Sequence, residues 1–203
     1  MKTLTLAVIL SMLCAPRARG ADDRQPLRLT AEVVGRRYCA GERVNILQLD
    51  VRLRYRNEGS EKLYVYRGKN LFYLTRIRGG GGPRPYEVVV TNARFNDREA
   101  EALGATKPGA AFFALRPGGT FETVIEVGVG VTPEGFERAA NTVRPGAHTL
   151  QVSVSSWYES RRLAEELRAR WRGAGLLWID PLNAPPLQFE AGLDAPAGRC
   201  GGG

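Results

Sequence analysis

The run LQLDVRLRY puts Leu47, Leu49, Val51, Leu53 and Tyr55 on one side of an extended chain and Gln48, Asp50, Arg52 and Arg54 on the other. Side chains alternate between faces along a strand but not along a helix, so this segment reads as a strand with one oily and one wet face. A face of that kind must be covered by another oily face. The turn NEGSEK, Asn57 to Lys62, and the strand LYVYR follow directly.

The same pattern, broken by Gly, Pro and Asn, gives strands at Leu27 to Val34, Asn70 to Ile77, Tyr86 to Asn92, Thr120 to Val129, Thr149 to Trp157, Leu176 to Ile179 and Leu187 to Glu190. Phe121, Thr123, Ile125 and Val127 are expected to point inward, as are Leu150, Val152 and Val154. Strands do not alternate with helices, which predicts an all-β, antiparallel sandwich. Two long connections remain, Ala93 to Gly119 with a short helical turn expected near Asp97 to Leu103, and Gly130 to His148. Gly79 to Gly82 reads as a flexible loop.

One segment breaks the rule. SSWYESRRLAEELRARWRGAGLLWID, Ser155 to Asp180, carries Leu163, Leu167 and Trp171 at four-residue steps amid charge, which is the mark of a helix with one narrow apolar face. Glu166 and Arg170 stand in the favourable i, i+4 order, and Gly173 is the expected stop. A helix of about 13 residues is marginal alone and must dock. Two outcomes are open: Leu163, Leu167 and Trp171 cover one end of the sandwich, or Trp157, Tyr158, Trp171 and Trp178 form an aromatic surface that binds a protein or a sugar.

The start of the chain, MKTLTLAVILSMLCAPRARGADD, has Lys2, an apolar run from Leu4 to Ala15, and small residues at Ala18 and Gly20. That is the layout of an export signal covering residues 1–20. The run is too short to cross a bilayer, which takes about 20 apolar residues. The residue before Cys14 is Leu13, which a lipid-attachment box does not favour, so a periplasmic or secreted protein without a transmembrane segment is expected. The mature domain would span 21–191, followed by a Gly-rich tail, 192–203, flexible unless Cys200 anchors it.

Cutting after Gly20 removes Lys2, Arg17 and Arg19 and no acid, so the net charge falls from +8 to +5. The remaining excess is scattered arginine. Nucleic-acid binders concentrate their charge on one face, often with aromatics between, so no nucleic-acid partner is expected. Arg52, Arg54 and Arg56 form the one ordered row, and Glu122 and Glu126 on the strand Thr120 to Val129 are placed to neutralise it. Two mature cysteines, Cys39 and Cys200, would meet an oxidising compartment. With strands running alternately up and down, both lie at one end of the sandwich. Either they form a disulfide or they stay free thiols.

YRNEGSEKLYVYR resembles the strand, Asn turn, strand step of immunoglobulin-like domains in exported bacterial proteins. LRPGGTFE and VRPGAHTLQVSV resemble the Pro-Gly steps into later strands of the same domains. The likeness covers about Leu27 to Ala191, and it extends more distantly to fibronectin-like folds and the bacterial intracellular proteinase inhibitor domain. It implies an immunoglobulin-like sandwich and protein binding. It also implies a corner tyrosine where this chain has His148, giving that imidazole a structural, hydrogen-bonded role.

Catalytic patterns are missing from the sequence. No Gly-x-Ser-x-Gly occurs, and His148 is the one histidine, without a second for a zinc site or relay. Glu99, Glu101, Glu134 and Glu137 sit in polar loops, and GGGGPRP lacks the Lys-Ser/Thr of a phosphate loop. The expectation is a non-enzymatic module without cofactor or metal, binding protein or serving a structural role in the envelope. A carbohydrate-binding module is the alternative, and a hydrolase comes third.

Overall fold

The computed structural model describes residues 25–66, 72–79, 86–91, 106–135, 141–155 and 161–200. Among these lie β1 (Leu27–Ala40), β2 (Asn45–Asn57), β3 (Leu63–Tyr66), β4 (Phe72–Gly79), β5 (Tyr86–Thr91) and β6 (Phe112–Leu115). They are followed by β7 (Thr120–Val131), β8 (Thr142–Val143), β9 (Gly146–Ser155), the helix α1 (Arg161–Arg170), β10 (Leu176–Leu177), β11 (Leu182–Asn183) and β12 (Leu187–Ala191). The expected helical turn near Asp97 to Leu103, and Gly80 to Gly82, lie outside the described residues.

Three sheets result, ordered β1-β2-β7-β8, β10-β3-β6 and β11-β9-β4-β5, with β12 also on β9. Pairing is antiparallel except for β10 on β3 and β8 on β7, which are parallel. Leu47, Leu49, Val51, Leu53 and Tyr55 of β2 are all buried, and they share one core with Ile77 of β4, Val88 of β5 and Leu150, Val152 and Val154 of β9. The period-two face of β2 is therefore covered by the facing sheet, as the sequence demanded. The protein is an all-β, antiparallel-rich sandwich with a single short helix among the described residues.

β1 runs on to Ala40, past the expected end at Val34. Its register against β2 slips between Val33 and Gly35, so Val34 is an extra residue. A bulge of this kind flips the alternation, which is why the oily residue switches from odd positions such as Leu29 to an even one, Tyr38. A Cβ at Gly35 would lie 2.4 Å from Asp50 Oδ2, so a side chain there would push the Asp50 carboxylate aside. Two strands also emerge inside the long connections: β6, which pairs with β3, and β8, two residues long.

The turn residues tie distant loops together. Asn57 is fully buried, and its Nδ2 donates to the carbonyls of Glu61 (2.7 Å) and Leu115 (3.0 Å), while its Oδ1 accepts from Gly59 N–H (3.0 Å). In LRPGGT, Gly119 N–H closes on Arg116 O at 2.8 Å with Gly118 at φ +74°. That is a type II turn with Pro117 and Gly118 in the positions it requires. Gly118 N–H in turn donates to Asn57 O at 2.9 Å.

Candidate functional site

The helix answers to a second, smaller core. Ala164, Leu167 and Trp171 pack with Tyr66 of β3, Phe112 of β6, and Leu177 and Ile179 near β10. The Trp171 ring meets Phe112 edge-on, with centroids 4.9 Å apart. β3 alternates between the two cores: Leu63 and Val65 face the sandwich, while Tyr64 and Tyr66 face the helix. Alongside β3 the chain is thus three layers deep.

This placement corrects part of the sequence reading. Trp171 is 1% exposed and Trp178 5%, so neither ring belongs to an aromatic binding surface. Trp157 and Tyr158 lie outside the described residues. The buried stripe is Ala164, Leu167 and Trp171, and Leu163 is 37% exposed. The expected stop at Gly173 is also displaced: Gly175 takes the positive φ, +147°, and a side chain there would strike Lys62 O at 2.8 Å.

The outer charge of the helix is organised by neighbours. Arg161 reaches Glu165 and, across the turn, Asp180, both at 2.8 Å, while Arg162 pairs with Glu166 at 3.1 Å. Hydrogen bonds to Glu165 and then Asp180 hold the Arg161 guanidinium above its usual pKa.

His148 is buried near the start of β9, two residues after Gly146. Its Nδ1 is 2.7 Å from Gly146 O, and a carbonyl only accepts, so Nδ1 carries the proton. Nε2 is then the acceptor for the Tyr86 hydroxyl, also at 2.7 Å. The same hydroxyl accepts from Arg144 N–H at 3.0 Å. Phe189 stacks on the imidazole with centroids 5.3 Å apart. Burial pushes the His148 pKa down, against smaller upward pulls from Gly146 O and the Glu190 carboxylate. Both ring nitrogens are committed inside the fold. Tyr86 is the partner that sequence reasoning missed, since nothing in YEVVVT distinguishes it from a strand tyrosine.

The row Arg52, Arg54 and Arg56 lies on the outer face of β2, next to β7 as expected. Arg54 binds Glu122 at 2.6 Å, and Arg52 sits 3.5 Å from Glu32 and 3.9 Å from Glu122. Arg37, brought onto this face by the bulge, bridges Asp50 and Glu126, each at 3.0 Å. Acids and bases interleave here, and no single-sign stripe results.

Cys39 and Cys200 are bridged, with Cα atoms 4.9 Å apart. Anchored through Cys200, the segment 192–200 is held against β1. An open groove of about 300 Å³ lies between β1 and β11, lined by Leu27, Leu182 and Pro185 and edged by Asn183 and the Arg28–Glu58 pair. Among the described residues, no group of three or more His, Cys, Asp or Glu is placed to hold a metal, and no helix is long and apolar enough to cross a membrane.

No protein-family model and no curated protein matches the chain. Among solved structures, the X-ray structure of Northeast Structural Genomics Consortium target SoR45 is similar at 9% identity, covering 81% of this chain and 85% of that one, with a TM-score of 0.34. A likeness this slight carries no argument.

Proposed function

We propose that the chain is an exported, non-catalytic module of immunoglobulin-like type that binds protein or serves a structural role in the cell envelope. The observation that carries this reading is the Cys39–Cys200 bridge, which ties the first strand to the last described residue. Such a bond suits an oxidising compartment, and it agrees with the export-signal layout of residues 1–20. The chemistry of the described side chains points the same way. His148 spends both nitrogens on structural bonds, and the ordered acids of the β2 face are paired with arginines. The carbohydrate alternative keeps only Trp157 and Tyr158, because Trp171 and Trp178 are buried.

Expression of the full chain in a bacterial host, followed by fractionation and mass spectrometry, tests the first part. A periplasmic or secreted product beginning near Ala21 with no free thiol is expected; an uncut cytoplasmic product with reduced cysteines overturns it. For the second part, the immobilised protein is offered envelope extract treated with either protease or periodate. Retention lost to protease but not to periodate is expected. The reverse pattern favours the carbohydrate reading.

A further inference from the structure

Among the described residues, β1 is the edge strand of its sheet, with β2 as its strand partner in the sheet order. An edge presents unpaired N–H and C=O groups to any extended chain that arrives. At its far end this edge is occupied by the chain's own tail. Ala197 N–H donates to Tyr38 O (3.0 Å), Ala40 N–H to Gly198 O (2.7 Å) and Cys200 N–H to Ala40 O (3.3 Å), which makes a short parallel ladder. Gly192 N–H also reaches the Tyr38 hydroxyl at 2.6 Å, and Arg36 pairs with Asp194 at 3.3 Å.

The segment has little else to hold it. Residues 193–199 are exposed, Leu193 at 61%, so almost no oily surface is hidden by its docking. Ordering nine residues costs more conformational entropy than a few backbone hydrogen bonds and one exposed ion pair return. The covalent bond to Cys39 makes up the difference, because it keeps the segment at a high local concentration against the edge.

We propose that Gly192–Cys200 is a removable edge strand latched by the Cys39–Cys200 bridge, and that opening the latch frees the end of β1 to take the same segment from a second copy of the chain. The unlatching agent is a dithiol. One of its thiolates attacks the Sγ of Cys200, the less buried of the two residues, and Cys39 leaves as thiolate. The second thiol then attacks the mixed disulfide and releases Cys200. Both cysteines take up protons, and the dithiol ends as a disulfide. The free edge then accepts extended backbone whose side chains are as small as Ala197 and Gly198. A second copy supplies that backbone by exchanging tails, a known route to dimers when a hinge is released.

Amide hydrogen exchange on oxidised and dithiothreitol-treated protein reads the latch. The Ala40 and Cys200 amides are expected to exchange at free-chain rates on reduction, while those of Val51 and Val127 stay protected, lowered only in step with the fall in global stability. Continued protection of Ala40 in the reduced protein overturns the proposal. So does loss of protection throughout, because the bond would then hold the whole domain rather than the strap. The exchange is read by mixing reduced Cys39→Ser and Cys200→Ser chains, both carrying Cys14→Ser, and then oxidising them. A heterodimer joined through Cys39 of one chain and Cys200 of the other, in excess over either homodimer and with Ala40 protected again, is expected. Homodimers alone, or no linked species, overturn the second half.

Discussion

His148 shows how one position sets a pH dependence. Its proton sits on Nδ1 facing Gly146 O, and Nε2 must stay bare to accept from Tyr86. Folding lowers the imidazole's pKa below the unfolded value of about 6.5, so between the folded value and 6.5 the unfolded chain binds more protons. This contribution to stability is complete above about pH 6.5 and declines as pH falls from there through the folded value. Urea midpoints are therefore expected to drop between about pH 7.5 and 5.5, and to drop less in His148→Gln; equal drops in the two proteins would refute the assignment. Tyr86→Phe strips Nε2 of its donor and is expected to cost about 1 to 3 kcal/mol, read by the same denaturation. The likeness of GAHTL to a corner-tyrosine step implied a hydrogen-bonded imidazole at His148, and its ring is buried with both nitrogens bonded. Its partner was not legible, because Tyr86 lies 62 residues earlier, and only the finished sheet brings the two together.

The helix illustrates what periodicity shows and what it hides. At about 100° per residue, Leu163, Leu167 and Trp171 drift steadily around the axis. Ala164, Leu167 and Trp171 cluster within a narrower arc, and it is that arc which meets Tyr66 and Phe112. A small alanine gave no signal, and a leucine gave a misleading one. Trp171→Ala is expected to cost about 3 to 5 kcal/mol by thermal or chemical unfolding, as deletion of a buried ring does. Leu163→Ala is expected to cost less than about 1 kcal/mol, as a mostly exposed change does. Similar losses from both would place the buried face elsewhere. Strand boundaries follow the same logic: β2 was readable because its register is uniform. β1 was cut short in the reading because its bulge inverts the pattern, and FFAL of β6 hid because it buries residues toward both cores.

Across the whole chain, the bridge closes a loop with a sequence separation of 161 residues. Restricting so long a loop in the unfolded state is worth about 4 to 5 kcal/mol on the loop-entropy model. Cys39→Ser/Cys200→Ser, compared with the oxidised parent by guanidinium unfolding, is expected to lose about that much. A loss under about 1 kcal/mol would mean that unfolded-state entropy is not the source of the bond's value. The pairing of two cysteines so far apart could be inferred only from topology, by counting strands up and down. That count reached the right end of the molecule although it missed β6, β8 and β11.

β3 has no wet side. A polar residue introduced at Leu63 or Val65 enters one interior, and one at Tyr66 enters the other, so no substitution there escapes to solvent. The helix consequently cannot be trimmed away as an ornament added to a finished sandwich. Its removal would strip Tyr66 and Phe112 bare and give β3 a surface its residues were never chosen to show. Any shortened descendant of this chain must rewrite LYVY before it can discard RRLAEELRAR.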